Sequence, residues 1–95
     1  MDARRWQVNC HSHLHWRQLG EDWVVFDAGS GDTHQLDAVS AAALMCFESE
    51  PNDLSGVIAV LANELGLPID EHLSNKFELL LEQLSSLELI ELVEP

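Results

Sequence analysis

At 95 residues the chain suffices for one domain that buries roughly 60–65% of its unfolded surface, and it is too short for a second core. Its 17 acidic residues face only four basic ones, Arg4, Arg5, Arg17 and Lys76, and the resulting formal charge of -13 repels nucleic acid and anionic membranes. A hydrophobic share of 46% excludes a disordered chain, and no apolar run approaches the ~20 residues of a membrane span or resembles a secretory signal, so a cytoplasmic protein is expected.

Residues 1–13 are polar and aperiodic and read as a flexible N-terminal arm, with the folded domain occupying 14–95. Leu14 to Leu19 and Trp23 to Asp27 read as two strands joined by the Gly20-Glu21-Asp22 turn, because aromatic and β-branched residues fit a half-buried pleated surface. Ala28-Gly29-Ser30-Gly31 supplies a glycine turn, and Asp32 is expected to bond its own backbone there. Thr33 to Leu36 returns as a third strand. Asp37 is placed to cap a helix running to about Phe47, with Leu36 packing back on its first turn. Asn52 or Asp53 caps the second helix, whose Leu54, Val57, Ile58, Leu61, Ala62 and Leu65 form one apolar stripe before the Gly66 stop. Pro68 and Asp70 open a third, with Leu73, Phe77, Leu80, Leu81, Leu84 and Leu87 inward and Leu79 off the stripe beside Lys76 and Gln83. Beyond Leu87 the residues alternate through Val93, which suits a short extended tail docked on the core.

The expected fold class is therefore α+β: a three-stranded antiparallel sheet followed by three helices, in a winged helix-turn-helix-like arrangement. The strand before the first helix has a neighbour on one side only. Its other side offers unpaired N–H and C=O groups to another polypeptide.

Other constellations are weaker. Cys10 and Cys46 do not suggest a disulfide framework, since one sits in the polar lead-in and the other on an apolar helical stripe. His11, His13 and His15 would point to one side of an extended segment and, with the Cys10 thiolate, could hold zinc, but the spacing differs from the usual two separated ligand pairs; no cofactor is expected. Ser30, Asp32 and His34 crowd one tight hairpin, where nucleophile, base and orienting group cannot line up, so no catalytic residues are assigned. His34 reads either as a groove residue or as a core histidine. Lys76 stands alone among Glu71, Glu78 and Glu82, which makes the third helix unfit to read DNA.

The hairpin, the Leu36-Asp37 entry into the first helix and the ending Leu84-Ser85-Ser86-Leu87-Glu88-Leu89-Ile90 resemble the PqqD-like proteins, peptide-chaperone domains also called RiPP recognition elements. The segment Ser30-Gly31-Asp32-Thr33-His34-Gln35-Leu36 is similar to the subgroup found beside an HPr-kinase-related protein, the HPr-rel-A system. The resemblance covers residues 14–92. Family members often carry glycine where this chain has Glu88, so the helix ends differently or Glu88 takes a left-handed conformation at roughly 1 kcal/mol.

The resemblance implies a non-catalytic chaperone whose partner peptide adds to the third strand and lies against the third helix. Thr33, His34, Gln35 and Leu36 would supply the ladder, and Lys76, Leu79, Leu80 and Gln83 the adjoining wall. Ordering five peptide residues costs about 1–2 kcal/mol each, and four hydrogen bonds return about 0.5–1.5 kcal/mol each. Backbone pairing alone therefore loses. Two or three buried apolar side chains, at roughly 1.5–3 kcal/mol apiece, reverse the sign. The alternative is an adaptor or regulatory subunit for an HPr-kinase-related enzyme, docking a folded partner through the same edge or through a homodimer contact. A basic partner would associate more slowly as salt rises.

Overall fold

A computed structural model describes residues 4–93. The order is β1 (Arg5–Val8), β2 (Leu14–Leu19), β3 (Asp22–Asp27), β4 (Asp32–Leu36), α1 (Ala38–Ser49), β5 (Asn52–Asp53), α2 (Leu54–Leu65), α3 (Glu71–Ser86) and β6 (Ile90–Leu92). The antiparallel sheet β2-β3-β4 followed by three helices is the α+β architecture expected, although its likeness to a winged helix-turn-helix is loose. A second antiparallel sheet, ordered β5-β1-β6, brings Arg5–Val8 beside Ile90–Leu92.

Each helix begins on an aspartate in extended conformation whose carboxylate accepts a backbone N–H three residues on. Asp37 accepts from Ser40 at 2.7 Å, Asp53 from Gly56 at 2.7 Å and Asp70 from Leu73 at 2.9 Å. Caps of this kind are worth about 1 kcal/mol each. Gly66 closes α2 at φ 67, the left-handed position that glycine occupies without a Cβ penalty. Glu88 takes the left-handed alternative left open by the sequence, at φ 62, and turns the chain from α3 into β6.

Helix α1 packs on β1, β3, β4 and α2, so apolar residues surround it rather than lining one stripe. Val25, Leu44, Val57, Leu61, Phe77, Leu84 and Leu89 form the fully buried centre. In the hairpin sheet Trp16, Val25 and His34 lie in cross-strand register on the inward face. Trp23 and Leu36 share that face, while Phe26, Thr33 and Gln35 alternate outward.

The segment expected as an arm contains a strand. Trp6 pairs with both Asn52 and Leu92, Trp6 and Val8 pack against the core, and the Arg5 guanidinium donates to the Pro51 carbonyl at 2.9 Å. Only two apolar residues alternate there, and the strand's partners lie far along the chain, so local periodicity carries no signal for it. Residues 1–3, the rest of the expected arm's beginning, lie outside the described residues. Among the described residues, no helix is long and apolar enough to cross a membrane.

The β3–β4 turn is organised by Asp27, not by Asp32. Its buried carboxylate accepts from Ser12 Oγ at 2.8 Å, His13 N–H at 3.0 Å and Gly29 N–H at 2.9 Å, tying the β1–β2 connection to the turn. Burial alone would raise its pKa. The hydrogen bonds from the His13 backbone, the Ser12 hydroxyl and the Gly29 and Ser30 backbones outweigh it, and the carboxyl sits below its ordinary value of 3.8. Gly29 is required beside it, because a Cβ there would meet the His11 carbonyl.

A group with a depressed folded-state pKa stabilises the fold above its unfolded value and loses that contribution as pH falls through the folded value. Asp27→Asn should therefore cost about 1–3 kcal/mol at neutral pH. The gap from the parent should close only below pH 3.8, and denaturant titrations at neutral and strongly acid pH measure both.

Candidate functional site

Strand β4 pairs with β3 along its whole length, from Trp23 opposite Leu36 to Asp27 opposite Asp32. Among the described residues it has no strand on its other side. The tail that might have closed that edge is engaged elsewhere, since β6 lies antiparallel to β1. The Asp27 clamp fixes the turn before β4 and the Asp37 cap fixes the residue after it, so the open edge is held at both ends. Gln35 adds a lateral tie, its side-chain amide donating to the Asp22 carboxylate at 3.0 Å.

Along β4 the four expected residues divide by face. Thr33 and Gln35 are exposed on the outer face, His34 is half-buried on the inner face opposite the fully buried Val25, and Leu36 is buried on that inner face at the end of β4. His34, read either as a groove residue or as a core histidine, lies half-buried at the inner rim of the strand. A polypeptide added to β4 would alternate in the same way, sending every second side chain toward that rim.

On α3 the spacing of His72, Lys76, Leu79 and Gln83, four then three then four residues, places all four on one exposed flank. Leu79 is 67% exposed, high for a leucine in a folded domain, whereas Leu80 is only 7% exposed and belongs to the core. Lys76 has no carboxylate three or four residues away on its helix, so no intrahelical partner neutralises it. The carboxylates Glu71, Glu78 and Glu82 fall on the opposite flank. Lengthwise segregation of charge thus divides the helix. Helix α3 packs mainly on α2 and β6, not on β4, while Leu36 and Leu80 join the same hydrophobic cluster.

The other constellations are dispersed. Cys10 and His11 lie in a turn, so the extended run that would align three imidazoles is broken before His13, and His11, His13 and His15 are all exposed. His15 instead stacks on Phe26 across the strands, with ring centroids 6.3 Å apart. Among the described residues, no group of three or more His, Cys, Asp or Glu could hold a metal ion. Cys10 and Cys46 are both free. Burial pushes the Cys46 thiol up, with the charges of Glu64 and Glu50 adding to the shift, so it is a poor nucleophile at neutral pH. Ser30 serves the turn, its hydroxyl accepting from the Asp32 N–H at 3.3 Å.

Two features escaped the sequence reading. The Asp27 clamp draws its donors from the preceding connection, and no local motif announces it. Trp6, placed by β1, lines a cleft against α3 together with Glu78 and Glu82.

No family model and no curated protein matches the sequence. A solved structure, "TbiB1 in Complex with the TbiA(beta) Leader Peptide", shares the fold: the TM-score is 0.69 at 16% sequence identity, over 94% of this chain and 99% of that one.

The two leucines of α3 should separate cleanly. Leu80→Ala removes a buried side chain and should cost about 2–5 kcal/mol, while Leu79→Ala should change stability by less than about 0.5 kcal/mol. Denaturant unfolding of the two variants measures the difference and establishes Leu79 as the position at which binding can be tested without unfolding.

Proposed function

We propose that this chain is a non-catalytic peptide-binding module of the PqqD-like, RiPP-recognition-element kind. It captures a precursor or partner peptide as an extra strand on β4 and presents it to a modifying enzyme. The observation that carries this reading is the unpaired outer edge of β4. Support also comes from the fold shared with TbiB1, which was solved in complex with a leader peptide.

Three other strands also lie at sheet edges, and none suits the task as well. Strand β5 offers only Asn52–Asp53 and strand β6 only Ile90–Leu92. On the inward face of β2, the Trp16 indole donates to the Glu48 carboxylate of α1 at 3.2 Å and packs edge-on against Trp23, so that face is already engaged by the chain's own residues. On β4 the inward positions meet the His34 rim. Leu79 and the aliphatic stem of Lys76 then supply apolar contact of the kind that backbone pairing lacks. Thr33, His34, Gln35 and Leu36 provide the ladder, with Leu80 as buried support and Gln83 at the end of the flank. The work assigned to these residues is holding and orienting, which requires no reacting group.

The Ser30 to Leu36 segment, similar to the HPr-rel-A subgroup, favours an HPr-kinase-related protein as the enzyme served. Recovery of such a protein with this chain in the absence of peptide would instead favour the adaptor role.

Titrating precursor peptides encoded nearby should shift the backbone amides of residues 33–36 and 72–83 most strongly. Shifts confined to β2 or α2 would refute the assignment. Leu79→Asp should weaken the same peptide by roughly tenfold or more while leaving the melting temperature unchanged, since a buried leucine contributes about 1.5–3 kcal/mol.

A further inference from the structure

The acidic flank of α3 faces a feature that peptide capture on β4 does not use. Between β1, the start of α2 and α3 lies a cleft of about 390 Å³ lined by Arg4, Trp6, Leu54, Glu78, Leu81, Glu82, Ser85 and Ser86. Its lining combines three kinds of group. Trp6, Leu54 and Leu81 give it apolar surface, the two serines add hydroxyl acceptors, and Glu78 and Glu82 stand one helical turn apart with their carboxylates on one side of the helix.

We propose that this cleft is a docking site for an arginine side chain presented by a basic partner segment. The chain itself supplies the guide to the ligand. The Arg4 guanidinium lies over the Trp6 ring, 5.9 Å from its centroid, so a guanidinium already fits the aromatic wall of the cleft. An arginine suits the remaining surface as well. Its methylenes lie along Leu54 and Leu81, its plane stacks on an indole, and its fork of N–H donors matches carboxylates spaced one turn apart. A lysine carries the charge but lacks both the plane and the fork. Charge complementarity extends beyond the cleft, because the chain as a whole carries -13 and attracts a basic segment before contact.

Arg4 then acts as a built-in competitor. A guanidinium from a partner would take its place over the Trp6 ring while engaging Glu78 and Glu82. The site is independent of peptide capture on β4, so either can fail without the other.

The test uses the whole chain labelled for NMR and two probes at physiological ionic strength, N-acetyl-arginine methylamide and N-acetyl-lysine methylamide. The expected result is a saturable shift of the Trp6 indole N–H with the arginine probe, several-fold weaker with the lysine probe. The Trp16 and Trp23 indoles should stay unaffected. Arg4→Ala should tighten the arginine probe. The double variant Glu78→Gln, Glu82→Gln should weaken it by roughly tenfold or more, the effect of losing charge-assisted hydrogen bonds. A thermal melt verifies that both variants remain folded. Equal shifts at all three indoles, or affinity unchanged by the double variant, would overturn the proposal and leave only diffuse attraction to an acidic surface.

Discussion

The pairing of β1 with β6 is the interaction on which the rest of the arrangement depends. It engages the end of the chain at the second sheet, from Trp6 opposite Leu92 to Val8 opposite Ile90, and so leaves β4 with a single neighbour. The same pairing places Trp6 beside α3. One short ladder thus leaves an open strand edge on β4 and builds an aromatic wall beside Glu78 and Glu82 of α3. Had β6 bonded to β4 instead, that edge would be paired.

Much of the architecture was legible because its signals are local. The caps at Asp37 and Asp70, the Gly66 stop and the stripes of α2 and α3 depend only on residues within a turn or two, and each acts where the spacing places it. The second helix was left between Asn52 and Asp53, and the structure assigns the cap to Asp53. Leu79 was legible for the opposite reason, since an apolar residue off an otherwise regular stripe has no core to enter. What the sequence concealed was non-local. Strand β1 alternates only Trp6 and Val8 with polar neighbours, and its partners are contributed by the far side of α1 and by the last residues described. The Asp27 clamp likewise takes two of its donors from before β2. Leu80, grouped with Leu79 by proximity, is separated from it by the 100° step between successive helical residues. It falls in the core.

The acidic composition takes on a different meaning once the carboxylates are located. Asp37, Asp53 and Asp70 each satisfy an orphan N–H at a helix start, Asp27 satisfies donors under the β3–β4 turn, Asp22 holds Gln35 and Glu48 holds Trp16. Acidic side chains thus do structural work at the joints of the chain, while Glu71, Glu78 and Glu82 remain exposed together on one flank of α3. A net charge is a poor guide to a binding surface until these internal uses are subtracted.

The ladder between β1 and β6 also bears on the order in which the molecule assembles. It joins residues near opposite ends of the described chain, with Val93 N–H donating to the Arg5 carbonyl at 2.9 Å, so its loop is the longest that folding must close. The β2–β3–β4 hairpins and the helices need far shorter closures. On that ground the pairing of β4 should form before that of β1, an order that pulse-labelled amide exchange at Thr33 and Trp6 measures.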